Sequence, residues 1–340
     1  MDRPTIAVYD RAAPLYAARR PPTLAAAATA FAAAVPAGAW RADLGSGTGR
    51  YTPFLGSPAL ALDASWGMLS VASSGARVQA DVEQLPLRRG ALAGAWANQV
   101  YQHVPRARLP LALARLHDAL QVSAPVRLSV GAPTPSTDDF PGRLFEPWAP
   151  GDLARVVEGA GFDCDDIGAD VVVATRARTL PDIVGPGMRM LVCGLNPSIY
   201  SADRGVGFAR PGNRFWPAAL AAGLVTRDRD PWHALAAHGV GFTDLVKRAT
   251  PNAAALTVDE YRAGVERVAW VAAFLRPRVV CMVGLAGWRA VVDRTAAPGL
   301  QARGLGGCAV YVMPNPSGVN AHATVASLAA HLRAAAAAVR

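Results

Sequence analysis

Asn196 stands in a short proline loop directly after an apolar run. The run covers residues 188–193 and is bounded by glycines, which indicates a buried parallel strand. It ends in Gly194-Leu195-Asn196-Pro197, where glycine permits a tight backbone and proline cannot continue the strand. In open α/β sheets, ligands bind at the carboxyl ends of strands. The sequence therefore predicts that Asn196 is presented where an α/β protein does its chemistry.

A second apolar run near the end of the chain repeats this design. Residues 308–313 run into Pro314-Asn-Pro-Ser-Gly-Val-Asn-Ala321, and a segment rich in aromatic and basic residues, 208–216, lies between the two loops. Together these stretches resemble the uracil-DNA glycosylase superfamily and, within it, the mismatch-specific branch shared with thymine-DNA glycosylase. The resemblance covers about residues 185–335.

This resemblance implies a role for each residue that matches the family's motifs. A glycosylase flips a base out of the duplex and then breaks its C–N bond. Asn196 would position water, because a carboxamide offers donors and acceptors but does not titrate. The base pocket would contain Gly194, Leu195, Ser201, Phe208 and Asn315, and the DNA would contact Arg210, Arg214, Ser317, Gly318, Val319 and Asn320.

Two further features bear on that chemistry. Residues 241–248 match another family segment, in which we interpret Asp244 as a capping or solvated acid. No lysine occupies the active-site motifs, so the resemblance implies hydrolysis without a Schiff base, without a metal and without a cofactor. Ser198 and Val319 differ from the residues of close relatives. Uracil and ethenocytosine opposite guanine are the expected substrates, and whether thymine is also accepted stays open.

The positive charge of the chain is concentrated in the same half. Residues 181–340 contain 17 basic and 9 acidic residues, whereas residues 1–180 contain 17 and 16. A basic surface is what a phosphate backbone requires, although basic residues that only confer solubility remain the alternative.

The first half contains a glycine-rich turn after an apolar run. Asp43 precedes the turn Gly45-Ser-Gly-Thr-Gly49, and Asp63 follows Gly45 by 18 residues. Such a turn lets the backbone approach a nucleotide-like ligand, and a carboxylate at the end of the next strand can accept hydrogen bonds from ribose hydroxyls. A third acidic residue, Asp81, follows.

These positions, within residues 9–178, resemble class I methyltransferases that use S-adenosyl-L-methionine. The resemblance implies cofactor contacts by Asp43, Gly45, Gly47, Gly49, Asp63, Asp81, Val82 and Asn98. The methyl acceptor is not readable: the stretch 98–101 lacks the prolines of DNA amino-methyltransferases, and no Pro-Cys pair is present. We interpret His103 as a solvent-facing loop residue. A degenerate fold kept as a scaffold is the alternative.

Length and composition favour two α/β domains. A chain of 340 residues exceeds one ordinary core, and a Pro/Gly-rich stretch near residue 180 suggests a boundary. We predict two three-layer αβα domains: a Rossmann-like methyltransferase sheet over residues 1–178, a linker at 179–187, and a glycosylase fold with a short parallel sheet over 188–340. The four cysteines show no CxxC spacing, which predicts buried free thiols.

The sequence therefore predicts a bifunctional cytoplasmic protein, nucleoid-associated when acting on DNA. Its partner would be double-stranded DNA with G·U or G·T mismatches; we expect a monomer without membrane contact, because no apolar run is long enough to span a bilayer. Two rivals remain. One is a working methyltransferase whose second half only binds nucleic acid. The other is a glycosylase whose first half is structural.

Overall fold

The computed structural model describes residues 1–19, 21–72, 75–131, 139–168, 170–318 and 320–338. The chain divides into two compact units, Met1–Glu158 with Phe162–Ala177, and Gly159–Gly161 with Arg178–Arg340. Each unit is an α/β sheet structure, which confirms the predicted fold class. Among the described residues, no helix combines the length and the hydropathy that crossing a bilayer would need.

The sheet of the first unit has seven strands. They are β1 (Arg41–Leu44), β2 (Ala59–Asp63), β3 (Ala76–Gln79), β4 (Gly94–Asn98), β5 (Pro125–Ser129), β6 (Phe162–Ile167) and β7 (Val171–Arg176). Their order is β3-β2-β1-β4-β5-β7-β6, with β1 to β5 parallel and both β6 and β7 antiparallel to their neighbours. Strands β2 and β3 are added on one side of β1, and β4 and β5 are added on its other side, so the strand order reverses between β1 and β4. Ligands of doubly wound sheets bind at such a switch point.

Helices cover this sheet. They are α1 (Arg3–Arg19), α2 (Ala25–Ala33), α3 (Trp66–Ser70), α4 (Leu109–Ala119) and α5 (Pro150–Gly159). Helix α2 is rich in alanine, the residue with the highest helix propensity. Helix α4 buries Leu109, Leu113 and Leu116 at helical spacing, so one face packs into the core.

The sheet of the second unit has five strands. They are β8 (Met190–Gly194), β9 (Val240–Asp244), β10 (Val279–Val283), β11 (Gly299–Leu300) and β12 (Ala309–Met313). Their order is β11-β12-β10-β8-β9, and only β11 is antiparallel. The two predicted strands are thus β8 and β12, which lie on either side of β10. Both Asn-Pro loops therefore leave the same edge of the sheet.

Helices also flank this second sheet. They are α6 (Ile199–Arg204), α7 (Phe215–Ala221), α8 (Pro231–His238), α9 (Val258–Leu275), α10 (Ala286–Val291) and α11 (Val325–Ala337). Helix α9 begins at a capping box, in which Thr257 and Glu260 satisfy each other's backbone N–H groups. Helix α11 begins after Thr324, whose side chain caps it.

The predicted linker at 179–187 packs into the second unit. Leu180, Ile183 and Val184 are buried, and Ile183 exchanges backbone hydrogen bonds with Phe242 of β9. The prolines and glycines of this stretch suggested an exposed connection, but its apolar residues bury against the sheet. Residue 179 onwards is therefore part of the second core.

The cysteines are free thiols. Cys193, Cys281 and Cys308 are buried, as predicted, and burial raises the pKa of each. Cys164 is exposed on β6, so the prediction is wrong for that residue, which lies at the sheet edge.

Candidate functional site

The amide of Asn196 is held in one orientation. Its Nδ2 donates to Thr250 Oγ1 at 2.7 Å and to the Arg248 carbonyl at 3.0 Å, with the Pro197 carbonyl at 3.2 Å. These acceptors use both N–H bonds, so Oδ1 is the atom left to accept a hydrogen bond. Both N–H groups of Asn196 are thus hydrogen-bonded within the protein and do not bind a ligand. A water molecule can still be oriented by donating to Oδ1.

Phe208 lies over the glycine of the first loop. A Cβ added at Gly194 would stand 3.4 Å from Phe208 Cζ, so the ring touches the strand end. The Phe208 ring also stacks on Phe215, with centroids 4.2 Å apart. Phe208 itself has φ of 58°, an uncommon conformation for a non-glycine residue. The local backbone therefore places this ring beside the end of β8.

A small cleft opens beside this ring. Phe208, Phe242, Leu180 and Asp244 line it, and its volume is about 20 Å³. That volume holds about one water molecule, so a flipped base needs one wall of the cleft to shift. Asn196 is not among the residues that line the cleft, although it stands two residues beyond Gly194 at the same strand end.

Asp244 is the residue that the sequence-based interpretation misjudged. It is 9% exposed at the carboxyl end of β9, so it is not solvated, and a Cβ at Gly194 would stand 2.3 Å from its Oδ1. Burial raises its pKa to about 6; Lys247 opposes the shift and Asp182 adds to it. The signal was present in the sequence, because an acid follows the apolar run of β9 just as Asn196 follows that of β8.

A buried ion network supports this strand end. Arg267 Nη1 donates to Asp182 Oδ2 at 2.6 Å, and its Nη2 donates to the Asp244 carbonyl and to Thr243 Oγ1. Lys247 Nζ donates to Asp182 Oδ1 at 2.9 Å. Burial opposes ionisation of Asp182, but Arg267 and Lys247 outweigh it and lower the pKa of the Asp182 carboxyl. The Nζ of Lys247 is therefore held by an ion pair with Asp182 and by a hydrogen bond to the Leu180 carbonyl.

The second Asn-Pro loop is organised by its own side chains. Asn315 Oδ1 accepts from the Ser317 backbone N–H at 2.9 Å, and Asn320 Nδ2 donates to the Asn315 carbonyl at 2.8 Å. Asn315 is exposed and does not line the cleft, so in this structure it shapes the loop. Val319, the predicted wedge residue, lies outside the described residues.

The two predicted phosphate-binding arginines differ. Arg214 donates to the carbonyls of Gly318, Asn320 and Ala323, so it braces the second loop from within. Arg210 is exposed on the loop that carries Phe208. Ser201 is buried, and its Oγ lies 3.1 Å from Ser198 Oγ at the start of α6. Arg214 therefore positions the second loop, whereas the side chain of Arg210 is accessible to anions in the solvent.

The first unit has a cavity at its topological switch point. Predicted cofactor residues line it together with aromatic and basic side chains; the lining includes Asp43, Gly45, Gly47, Asp63, Asn98, Tyr9, Tyr16, Arg50, Met68 and His103. Gly49, Asp81 and Val82 are not in this lining within the described chain. Asp81 instead pairs with the amino group of Met1. Five of the eight predicted residues therefore meet around one cavity.

The glycine turn fits a close approach by a ligand. A Cβ at Gly45 would stand 2.4 Å from Val100, whereas a Cβ at Gly47 would meet no atom within 4 Å. Gly47 N–H donates to Asp63 Oδ2 at 2.8 Å, which ties the turn to the end of β2. The backbone at Gly47 thus faces open space beside a carboxylate.

Two carboxyls that line this cavity, the buried Asp43 and the partly buried Asp63, have perturbed pKa values. Burial raises the pKa of Asp43 to about 7, against a hydrogen bond from Thr52 that lowers it. Burial raises the pKa of Asp63 to about 6, against backbone hydrogen bonds from Ser65 and Gly47. Carboxyls poised near neutrality in a cavity are typical of functional sites.

His103 is buried, so the interpretation as a solvent-facing loop residue is wrong. It is 1% exposed, and its Nδ1 donates to the Leu144 carbonyl at 2.5 Å. In the neutral imidazole, Nε2 is therefore the acceptor, and it lies 2.9 Å from Tyr9 Oη. Arg143 Nη1 also donates to Tyr9 Oη, yet burial dominates and raises the pKa of Tyr9 to about 12. Contacts this distant in sequence could not be read from local pattern.

No cluster of three or more potential metal-ligating side chains occurs in the part of the chain that the structure describes.

Two family models match the chain. Residues 181–339 match the uracil DNA glycosylase superfamily, and residues 42–123 match a methyltransferase domain. Solved structures similar to the chain include the putative methyltransferase complexed with the Trm112 activator from Haloferax volcanii (14% identity, 52% of this chain and 97% of that chain, TM-score 0.42). They also include 1,6-didemethyltoxoflavin-N1-methyltransferase from Burkholderia thailandensis (20% identity, 51% and 88%, TM-score 0.40). These scores are too low to support an inference about function. Each half of the chain therefore matches its own family model, a methyltransferase domain in the first half and the uracil DNA glycosylase superfamily in the second.

Proposed function

We propose that the second unit is a mismatch-specific DNA glycosylase that excises uracil opposite guanine. The observation that carries this proposal is the meeting of Gly194, Phe208 and Asp244 at one strand end, with the oriented amide of Asn196 two residues beyond. Thymine and ethenocytosine opposite guanine are further candidate substrates. The product is a free base and an abasic site.

Each part of the site has one task in this reaction. The flipped base stacks on Phe208, which contributes about 1–3 kcal/mol in such contacts. Asn196 Oδ1 accepts a hydrogen bond from a water molecule. This hydrogen bond directs a lone pair of the water oxygen at the anomeric carbon. Because Asn196 cannot take a proton, turnover depends on fixed dipoles that stabilise the sugar cation and the departing base. We therefore expect slow hydrolysis.

Asp244 supplies recognition of the base in this proposal. Uracil presents an N3–H donor beside a carbonyl acceptor. A neutral carboxyl matches this pair, because its carbonyl oxygen accepts and its hydroxyl donates. An ionised Asp244 can only accept and repels the departing base anion. The raised pKa keeps a large neutral fraction available near pH 6.

The chemistry does not require a lysine. Schiff-base formation needs an accessible amine, and Lys247, the lysine beside the strand end, is paired with Asp182. We propose a monofunctional hydrolase acting on double-stranded DNA. Arg210 and the basic surface of this half would contact phosphates, and the loop after Ser317 would fill the space that the base leaves.

The test is single-turnover cleavage of a duplex with one G·U pair, read by alkaline strand scission. We expect wild-type cleavage and a loss of about 100- to 1,000-fold for Asn196→Ala. Asn252→Ala is a matched control, because Asn252 caps a neighbouring turn at Ala253–Ala255. If the wild-type protein cleaves none of the G·U, G·T or ethenocytosine duplexes, the glycosylase proposal fails and a nucleic-acid-binding role is favoured.

We further propose that the first unit uses S-adenosylmethionine. Asp63 would hold the ribose hydroxyls, Asp43 and the turn at Gly45–Gly49 the methionine part, and the cofactor would supply an activated methyl group. His103 stands at the same cavity, and its Nε2 is the atom that can accept a proton from an acceptor group. The test is calorimetric binding of S-adenosylhomocysteine to the full chain, with Asp63→Ala against the surface variant Asp152→Ala. Equal binding by both variants, or none by wild type, would favour the scaffold alternative.

A further inference from the structure

A second cavity lies at the amino ends of the strands of the second unit. Its volume is about 400 Å³, and Met190, Val240 and Val279, the first residues of β8, β9 and β10, form part of its wall. Asn196 follows the opposite, carboxyl end of β8. This cavity is therefore separate from the glycosylase site.

Three arginines from separate elements surround it. Arg189 precedes β8, Arg278 precedes β10 and Arg333 belongs to α11. No acidic side chain is in its lining, and among the described residues none of these arginines forms an ion pair with a carboxylate. Other exposed arginines of this unit, such as Arg227 and Arg262, do form such pairs. A cleft lined by one sign of charge concentrates ions of the opposite sign.

Two of the three guanidinium groups are held by hydrogen bonds to the protein, and each keeps further N–H donors. Arg189 Nε donates to the His238 carbonyl at 2.9 Å, and Arg333 Nη1 donates to the Ala221 carbonyl at 3.1 Å. These bonds cap the ends of α8 and α7. A guanidinium has five N–H donors, so most of them remain for a ligand. Anchoring also reduces the conformational entropy that a ligand must remove from these side chains.

The remaining walls are apolar. Leu224 and Leu332 are buried, and Ala336 and Ala337 leave the space beside α11 open. A volume of about 400 Å³ lies within the range of about 300–1,000 Å³ for small-molecule sites. A free phosphate ion would leave these walls uncovered. Arginine forks match phosphate groups, and an apolar wall matches a ring.

We propose that this cavity binds a small phosphorylated ligand with an aromatic body, as in a nucleoside polyphosphate. The proposal does not depend on the glycosylase or methyltransferase activities. The charge comes from Arg189, Arg278 and Arg333, and the shape comes from the alanines of α11.

The test is calorimetric titration of the full chain with GTP at low salt in a buffer containing EDTA, with pyrophosphate and guanosine as separate probes. We expect GTP to bind, pyrophosphate to bind more weakly, and guanosine not to bind measurably. The triple variant Arg189→Ala, Arg278→Ala, Arg333→Ala should lose about 100-fold or more in GTP affinity. The control triple Arg227→Ala, Arg229→Ala, Arg262→Ala changes the net charge equally and should lose less than about threefold.

Two further variants test the proposal even if the triple variant misfolds. Arg278 makes no described hydrogen bond to the protein, so Arg278→Glu should fold and still weaken GTP binding by about tenfold or more. Ala336→Trp keeps every charge but fills the cavity, and should also weaken binding. The proposal is overturned if wild type does not bind GTP, if both triples weaken it equally, if Ala336→Trp leaves it unchanged, or if a short DNA duplex displaces GTP.

Discussion

The rate of base excision should fall as the pH rises through the pKa of Asp244. The proposed recognition uses the neutral carboxyl, whose pKa in the folded protein is about 6 because of burial. Above that value the neutral fraction drops about tenfold per pH unit, so excision at pH 8 should be about 100-fold slower than the acid plateau. Asp244→Asn keeps one donor and one acceptor without titrating. Its excision rate should therefore be nearly constant over the same range.

The assay is single-turnover excision from a G·U duplex at several pH values, with saturating protein. Asp203→Asn is the control, because Asp203 is an exposed carboxylate paired with Arg178 on the same unit. It should retain the wild-type profile. A wild-type rate that rises through pH 6 would refute the reasoning, since an ionised Asp244 would then be acting as a base towards water. Identical profiles for wild type and Asp244→Asn would also refute it.

The same substitution has a predicted effect on stability. The folded pKa of Asp244 lies above the ordinary value of 3.8, so the folded state binds the proton more tightly than the unfolded state. The free energy of unfolding therefore decreases as pH rises from about 4 to 6, and the penalty at pH 7 is about 3 kcal/mol. Asp244→Asn should recover part of this at pH 7 and little at pH 4. Denaturant titrations at the two pH values measure the difference.

Three other outcomes are expected. Gly194→Ala should abolish excision of the base while the fold persists, because its Cβ would stand 2.3 Å from Asp244 Oδ1; Gly185→Ala, which meets only Leu235 at 3.9 Å, should be neutral in the same assay. Asp182→Ala should lower the free energy of unfolding by about 3–5 kcal/mol in denaturant titrations, since it strands two buried cations; a loss below about 1 kcal/mol would contradict the buried network. Binding of S-adenosylhomocysteine should strengthen as pH rises through about 6 to 7, where Asp63 and Asp43 ionise, and calorimetry in buffers of different ionisation enthalpy should show proton release; no release would contradict ligand contact with these carboxylates.

Local sequence was sufficient for the features that depend on one short segment. The apolar runs before Asn196 and before Asn315 predicted β8 and β12, because strand length, glycine boundaries and proline stops act within a few residues. The glycine turn at Gly45–Gly49 predicted a ligand cavity for the same reason.

Tertiary structure decided the features that need distant segments to meet. Asp182 and Arg267 are 85 residues apart in the chain, and their contact decides that residues 179–187 pack into the second core. Tyr9 and His103, 94 residues apart, are hydrogen-bonded, and His103 is buried although the sequence suggested that it is exposed. The desolvation that raises the pKa of Asp244 depends on the walls of the cleft, which come from several elements. Residue type and spacing therefore pointed to the candidate reactive groups of this protein, whereas burial, which only the assembled fold creates, decided the pKa shifts and the contacts of these groups.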